Sequence, residues 1–520
     1  MAESHSLMTD PEPAHHGYPG YPGFPGFPDY TRYSGHSLES NRSSHTDKES
    51  TRNGSTVPDS TGDLDWEGDD DPENPRNWPI WKKVIHTAIP AIYTFGLTTG
   101  ISTLVAGLSG IMDQFEITSR NVALLPITMY TVGFIFGPCI AAPISDLHGR
   151  LVVYKINIIM LLICNAIAVA SDNFAVLVIF RFLASLGGSG VMAVGAGTMS
   201  DLWLPSQISR VGVGYLLAPF LGPSMGPLIG AYSIHQYGDW RWGIWVVLCI
   251  LTPVAIAIFF SSETSTRAIL AARAKKRGRQ TKTRSLNQEL HKFRKAMLRP
   301  WNMCVFEPVS LVLGLYSGFS FAMIFSFFGS YTYVYSTVYQ FDARETGLCY
   351  IGLIIGILLG LVTFAVFDAT LYQKQVKRTG DKVPPEYRLY SALLGSLLVP
   401  IGLFWYAWSP DKSVHWIVPV VAGVPFGWGT MASFLSCLAY LASAFKPEDL
   451  SSAVAANGIF RFTLGAAFPN FVYQMYQGMG IHWAGSVFAF VSLAFIPVPW
   501  LLFWKGQVLR QKSSYELSKY

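Results

Sequence analysis

Charge is what this sequence has least of. Asp, Glu, Lys and Arg make up 14% of its 520 residues, against about a quarter in soluble domains. That shortage excludes an ordinary soluble fold, and the charge that exists gathers near the ends and in one central block. Cysteine is scarce as well: six residues (139, 164, 249, 304, 349 and 437), all inside or beside apolar runs. They form no disulfide framework or metal set and read as small packing residues. No Gly-Lys dipeptide occurs anywhere, so the step that opens a phosphate-cradling loop is missing. His-Glu-x-x-His does not occur, which leaves a hydrolase without that metal pair, and the one Gly-x-Ser-x-Gly spacing, at Gly222–Gly226, lies inside an apolar run and not at the strand-to-helix turn that exposes a nucleophile. The chain therefore reads as neither an enzyme nor an ATPase, with no cofactor, and an ion gradient is the energy source that remains.

What the sequence has in abundance is length without charge. Apolar stretches of about 18–25 residues recur, enough to cross a hydrocarbon core of about 30 Å as helices. Twelve spans are expected, near 84–106, 122–144, 152–170, 175–199, 209–231, 242–260, 304–328, 346–369, 389–408, 414–440, 451–475 and 484–504. The fold class is an all-α polytopic membrane protein. Residues 1–80, opening with the Pro/Gly/aromatic tract GYPGYPGFPGFPDY, read as a disordered cytoplasmic tail. A six-helix bundle over 81–260 follows, then a basic cytoplasmic loop over 261–303, a second bundle over 304–505, and a short tail over 506–520.

Lys and Arg placement sets the orientation. With the N-terminus cytoplasmic, the external loops hold only Arg120, Arg241, Arg344 and Lys412, while the 261–303 loop is crowded with basic residues. Both termini are then inside, and the sequons at Asn41 and Asn53 stay unglycosylated. The basic loop reads as a topology and anionic-lipid element, with no nucleic-acid role.

Six spans, a long loop and six more spans suggest two repeated halves. A weak echo supports the repeat: Asp146 and Arg150 follow the second span, and Asp368 and Lys374 follow the eighth. Glycines four apart (Gly96/Gly100, Gly133/Gly137, Gly314/Gly318, Gly352/Gly356/Gly360) read as close-packing grooves. Deep carboxylates are few. Asp201, Glu307 and Asp368 lie near span ends, where solvated or capping roles are the plain reading, and His86 reads as interfacial. Two guanidiniums lie deeper. Arg181 sits about 10 Å below the external edge and Arg461 about 15 Å in from the other side, at 1.5 Å per residue. Snorkelling serves the first more easily than the second. Asn457, beside Arg461, is placed to hydrogen-bond across helices.

The run GPCIAAPISDLHGRLVVYK resembles the loop motif of the major facilitator superfamily, through Asp146, Gly149 and Arg150. In the fifth span, APFLGPSMGPLIGAY is similar to the alternating Gly-Pro motif of drug:proton antiporters, carried by Gly222, Pro223, Gly226 and Pro227. With DWRWGIW and SSAVAANGIFRFTLGAAFPNF, the resemblance is to fungal twelve-span drug:H+ antiporters, the multidrug and polyamine exporters, over residues 64–510. Departures exist: the fourth-span arginine is followed by Ala184 and Ser185 where the family has Gln and Gly, and the tenth span lacks an acid.

The resemblance implies a proton-coupled exporter of amphipathic drugs or polyamines in a fungal plasma membrane, working as a monomer. It implies that Arg181 faces the central cavity and serves proton coupling. Phe321, Phe325, Phe328 and Tyr335 share a face of the seventh span with Tyr331 beside it, a candidate substrate wall whose bland alternative is packing or lipid contact. An uptake carrier and a non-transporting sensor on the same fold are the competing readings.

Overall fold

A computed structural model describes residues 66, 68, 70–277, 286–379 and 383–513. The glycine-proline tract, both sequons and the last seven residues lie outside that set. Ten helices are long and apolar enough to cross a bilayer: Ile80–Gln114, Leu125–His148, Arg150–Ala170, Phe174–Leu202, Trp242–Phe259, Pro308–Val338, Ala343–Thr379, Pro385–Trp408, Ile417–Ala444 and Ile481–Gln511. The fifth and eleventh spans complete the twelve. These are Pro205–Tyr237 and Pro447–Ala467 continued by Pro469–Met479. Both carry glycine, proline and polar residues where the others carry leucine and isoleucine. Each of them faces the other half.

The contact map repeats itself. Spans one and five pack together, as do seven and eleven; two and four match eight and ten; three and four match nine and ten; three and six match nine and twelve. The halves meet through spans two and eleven and through five and eight, contacts that the same two-fold relation exchanges. Outward-facing apolar stripes such as Ile156, Ile159, Ile163 and Ile167 on the third span are exposed. Only a hydrocarbon surround makes such stripes tolerable.

Several expected boundaries move. The 261–303 stretch holds helices Thr266–Lys276 and Leu286–Phe306, the second running into the seventh span. The last span continues past 505 to Gln511, kinking at Lys505. Disorder to residue 80 does not hold for residues 70–79. Asn74 caps a turn at Pro75–Asn77, and Trp78 packs with Leu202 and Trp203. Arg273 of the loop helix clasps this segment, donating to Asp71 at 2.7 and 3.0 Å and to Glu73 at 2.8 Å. Those hydrogen bonds, Asp71 first, hold the guanidinium above its ordinary value.

Candidate functional site

Consider first the end of the bundle that carries both described termini, the tail face. Gly149 turns the chain between the second and third spans with φ +94°, a conformation that L side chains rarely adopt, and an added Cβ would lie 2.6 Å from Glu263 Oε2. Glu263 uses that space. Its carboxylate accepts from the Arg150 and Leu151 N–H groups at 2.9 and 3.0 Å, capping the helix with an anion where the dipole favours one. The Arg150 side chain donates to Asp146 at 2.9 Å, Ser145 at 2.8 Å and Asp201 at 3.2 Å. Spans two, three and four and the post-span-six loop are thereby locked together.

The second half builds its lock from other residues. Asp368 pairs with Arg388 at the start of the ninth span, not with Lys374, which is exposed. The Arg388 guanidinium also lies 3.7 Å from the Tyr372 ring centroid. Lys374, six residues on, lies off the face that i+3 and i+4 neighbours share with Asp368, and Asp368–Tyr372 is a π turn. Beside it, Arg510 grips Glu386 at 2.8 and 3.0 Å, and Arg299 pairs with Asp449. Glu307 is fully buried and accepts from Ser513 at 2.8 Å. The expectation that Asp201, Glu307 and Asp368 are solvated or capping acids is corrected: each is bonded to a side chain. His86 stacks edge-on to Trp78, and its Nε2 accepts from the Ser262 N–H at 3.1 Å.

In the fifth span, Gly222, Gly226 and Gly230 face the first span. A Cβ on Gly222 would come within 2.7 Å of the Thr99 backbone nitrogen, and one on Gly226 within 2.8 Å of the Thr99 carbonyl. Proline adds a second effect. Pro227 has no N–H, so the Pro223 carbonyl loses its intrahelical donor. Ser102 Oγ donates to that carbonyl at 2.9 Å. The Gly-Pro repeat therefore both clears a groove and frees an acceptor that the neighbouring helix satisfies.

The two deep arginines have different surroundings. Arg181 is fully buried, so it does not snorkel. It donates to Asn165 Oδ1 at 3.1 Å and to the Gly100 carbonyl, and lies 3.8 Å from the Tyr130 ring centroid. Tyr130 in turn donates to the Leu97 carbonyl at 3.0 Å. Four spans are pinned by one guanidinium.

Arg461 sits where the halves meet. Its guanidinium lies 4.7 Å from the Phe434 ring centroid and 5.5 Å from those of Phe321 and Phe462. Phe462 touches Phe134 of the first half at 4.9 Å, and Phe434 touches Phe220 at 4.5 Å. Rings offset part of the cost of burial, about 0.5–2 kcal/mol each, against several kcal/mol to desolvate an ion. Arg461 Nε is buried with no hydrogen-bond partner. Asn457, one turn earlier, donates to Ser317 Oγ at 2.7 Å and the Leu313 carbonyl at 3.3 Å, tying the eleventh span to the seventh.

Phe321, Phe325, Phe328, Tyr331 and Tyr335 of span seven are all buried, and the structure divides them. Phe321 joins the Arg461 cluster and contacts Phe220 at 5.4 Å. Phe325 and Phe328 continue from it, at 5.0 and 5.1 Å along the helix. Tyr331 and Tyr335 instead pack within the second half, where Tyr331 meets Tyr350 and Tyr406. At the face opposite the tails, Arg120 lies over Tyr473 at 3.9 Å, Gln474 donates to Asn121 at 2.6 Å, and Gly347 seats against Leu228 and Ala231. That end is closed.

Sequence reasoning missed Asn165, Tyr130, Phe134, Phe220, Phe434, Arg388, Glu386 and Arg510. A polar Asn165 in an isoleucine-rich span was the one visible signal. The phenylalanines look like any others until the halves are assembled.

Two pseudo-repeated six-helix bundles, meeting across a buried charged and aromatic junction, define a membrane carrier. The sequence profile of the Major Facilitator Superfamily matches residues 91–469, and the chain belongs to that superfamily: it is a secondary transporter, not an enzyme. It is 33% identical to "Efflux pump radE" of Floropilus chiversii, covering 87% of this chain and 86% of that protein. It is also 33% identical to "Polyamine transporter 4" of Saccharomyces cerevisiae, over 87% and 73% of the two chains. Among solved structures, the human organic anion transporter MFSD10 matches with TM-score 0.52 at 14% identity, over 81% of this chain and all of that one, which shows the fold.

Proposed function

We propose that this protein exports amphipathic drug-like molecules or polyamines across the plasma membrane in exchange for protons, as a monomer with both termini in the cytoplasm. The observation that carries this reading is the junction around Arg461, a charged and aromatic site between two bundles that can rock apart. Contacts at the closed face are small and separable: one cation–π pair, one amide pair, a Thr128–Asn470 hydrogen bond at 3.2 Å and a glycine seat. The tail-face cluster around Arg150 supplies a lock whose ion pairs can break and reform between states. Similarity to proteins named as an efflux pump and a polyamine transporter supports export, as does the Gly-Pro motif.

The test is expression in a yeast depleted of its own exporters, with efflux of azoles, cycloheximide and spermidine measured with and without a protonophore. Protonophore-sensitive efflux of at least one compound is expected. Efflux that persists unchanged with the protonophore would refute proton coupling, and no energised efflux of any compound would refute export.

A further inference from the structure

We propose that Arg461 is the counter-charge for the transported molecule, and that the cargo is an organic anion: a carboxylate or similar acidic group on a flat apolar body. This rests on the export reading and narrows its amphipathic arm. Three observations lead to it. First, Arg461 is only 7% exposed, and among the described residues none accepts a hydrogen bond from it or pairs with it as a carboxylate. A guanidinium has five donors in a planar fork that matches a carboxylate two bonds at a time. Second, its walls are the rings of Phe321, Phe434 and Phe462, with Phe134 and Phe220 closing the site from the other half. Such walls suit a flat apolar body.

Third, the charge at this depth is of one sign. Asp146, Asp201, Glu307, Asp368, Glu386 and Asp449 lie at the tail face, held by arginine or hydroxyl partners. The other described acids lie in the clasp segment, at Glu263, at Glu289 of the Leu286–Phe306 helix, at Glu448 beside Asp449, or on far-face loops. Arg181 spends Nη1 and Nη2 on Asn165 and Gly100, leaving only its buried Nε unpaired. A cation entering the junction meets a like charge with no acid to balance it, whereas an anion supplies the missing acceptor.

Three probes with one ring system separate the cases: 2-naphthoate, 2-naphthamide and 2-naphthylmethylammonium. Binding of each to the purified full-length chain is read by ligand-induced thermal shift, and naphthoate efflux is followed in the exporter-depleted yeast. Naphthoate is expected to bind at least about tenfold tighter than the amide or the amine, since a charge-assisted pair replaces an unmet donor set. Arg461→Gln should remove that preference by weakening naphthoate far more than the amide, and Arg461→Lys should restore part of it. If Arg461→Gln does not elute as a monodisperse protein, the Lys variant decides, because it must weaken naphthoate selectively. Equal affinity for the three probes, preference for the amine, or naphthoate binding indifferent to both variants overturns the proposal. Spermidine efflux without Arg461-dependent naphthoate binding leaves the export reading intact and sinks this one. Arg461-dependent binding with no efflux of any compound does the reverse.

Discussion

Arg181 and Arg461 show how far identical side chains diverge with their surroundings. Removing Arg181 orphans Asn165 Oδ1 and the Gly100 carbonyl inside a dry bundle, at about 1–3 kcal/mol for each unsatisfied group. Removing Arg461 relieves a buried ion of a charge that only rings attend. Arg181→Ala is therefore expected to lower the melting temperature of the purified protein. Arg461→Ala should melt at or above wild type yet lose efflux at least as severely when normalised to surface protein. Equal loss of stability in both variants would contradict this division of roles. The sequence made both residues visible, since a guanidinium in an apolar run is conspicuous. It did not reveal their partners, because a backbone carbonyl on the first span and an amide on the third meet Arg181 only through packing. Pairing of Asp368 with Arg388 was hidden for a similar reason: the partner stands at the start of the next span and meets the acid only through packing.

Among the helices, the fifth span depends on what it lacks. Its glycines let the first span approach until backbone meets backbone, and Pro227 leaves a carbonyl for Ser102. Gly226→Ala should cost about 1–3 kcal/mol by overpacking, because an added Cβ meets first Ser102 Oγ, the hydroxyl that serves the Pro223 carbonyl, and then the Thr99 carbonyl, which cannot swing aside. Ser102→Ala should cost about 1 kcal/mol through the orphaned Pro223 carbonyl. Thermal unfolding in detergent gives both values, and a neutral Gly226→Ala would show that the helices can part without penalty. The Gly-Pro spacing was readable in the sequence; the hydroxyl that answers the proline was not. Helix edges were the least legible feature, since loops such as 266–276 and 286–306 are helical but too polar to register as spans.

For the whole molecule, the six-plus-six reading rested on a loop length and an echo of charges. The repeat itself lies in packing: each helix pair of the first half recurs in the second, and the contacts between halves obey the same exchange. No motif comparison displays that, because the two halves use different residues for equivalent joints. Gly133 and Gly137 seat against Ser185 and Ser189 in one, while Gly352 and Gly356 seat against the Val420 and Val424 carbonyls in the other. The tail-face ion pairs follow suit, with an Asp146–Arg150–Asp201 cluster in one half and separate Asp368–Arg388 and Glu386–Arg510 pairs in its counterpart.

The clasp of Arg273 on Asp71 and Glu73 brings the segment before the first span onto the segment after the sixth. The first bundle is thereby fastened at its own two ends, independent of the peptide that leads onward. Such a unit should tolerate being made as a separate polypeptide. Fragments 1–277 and 278–520, produced together in one cell, are expected to copurify and restore efflux, and Asp71→Ala with Glu73→Ala in the first fragment should reduce its recovery. Failure of the intact fragments to associate would mean that continuity of the chain, not the fastening of each bundle, holds the carrier together.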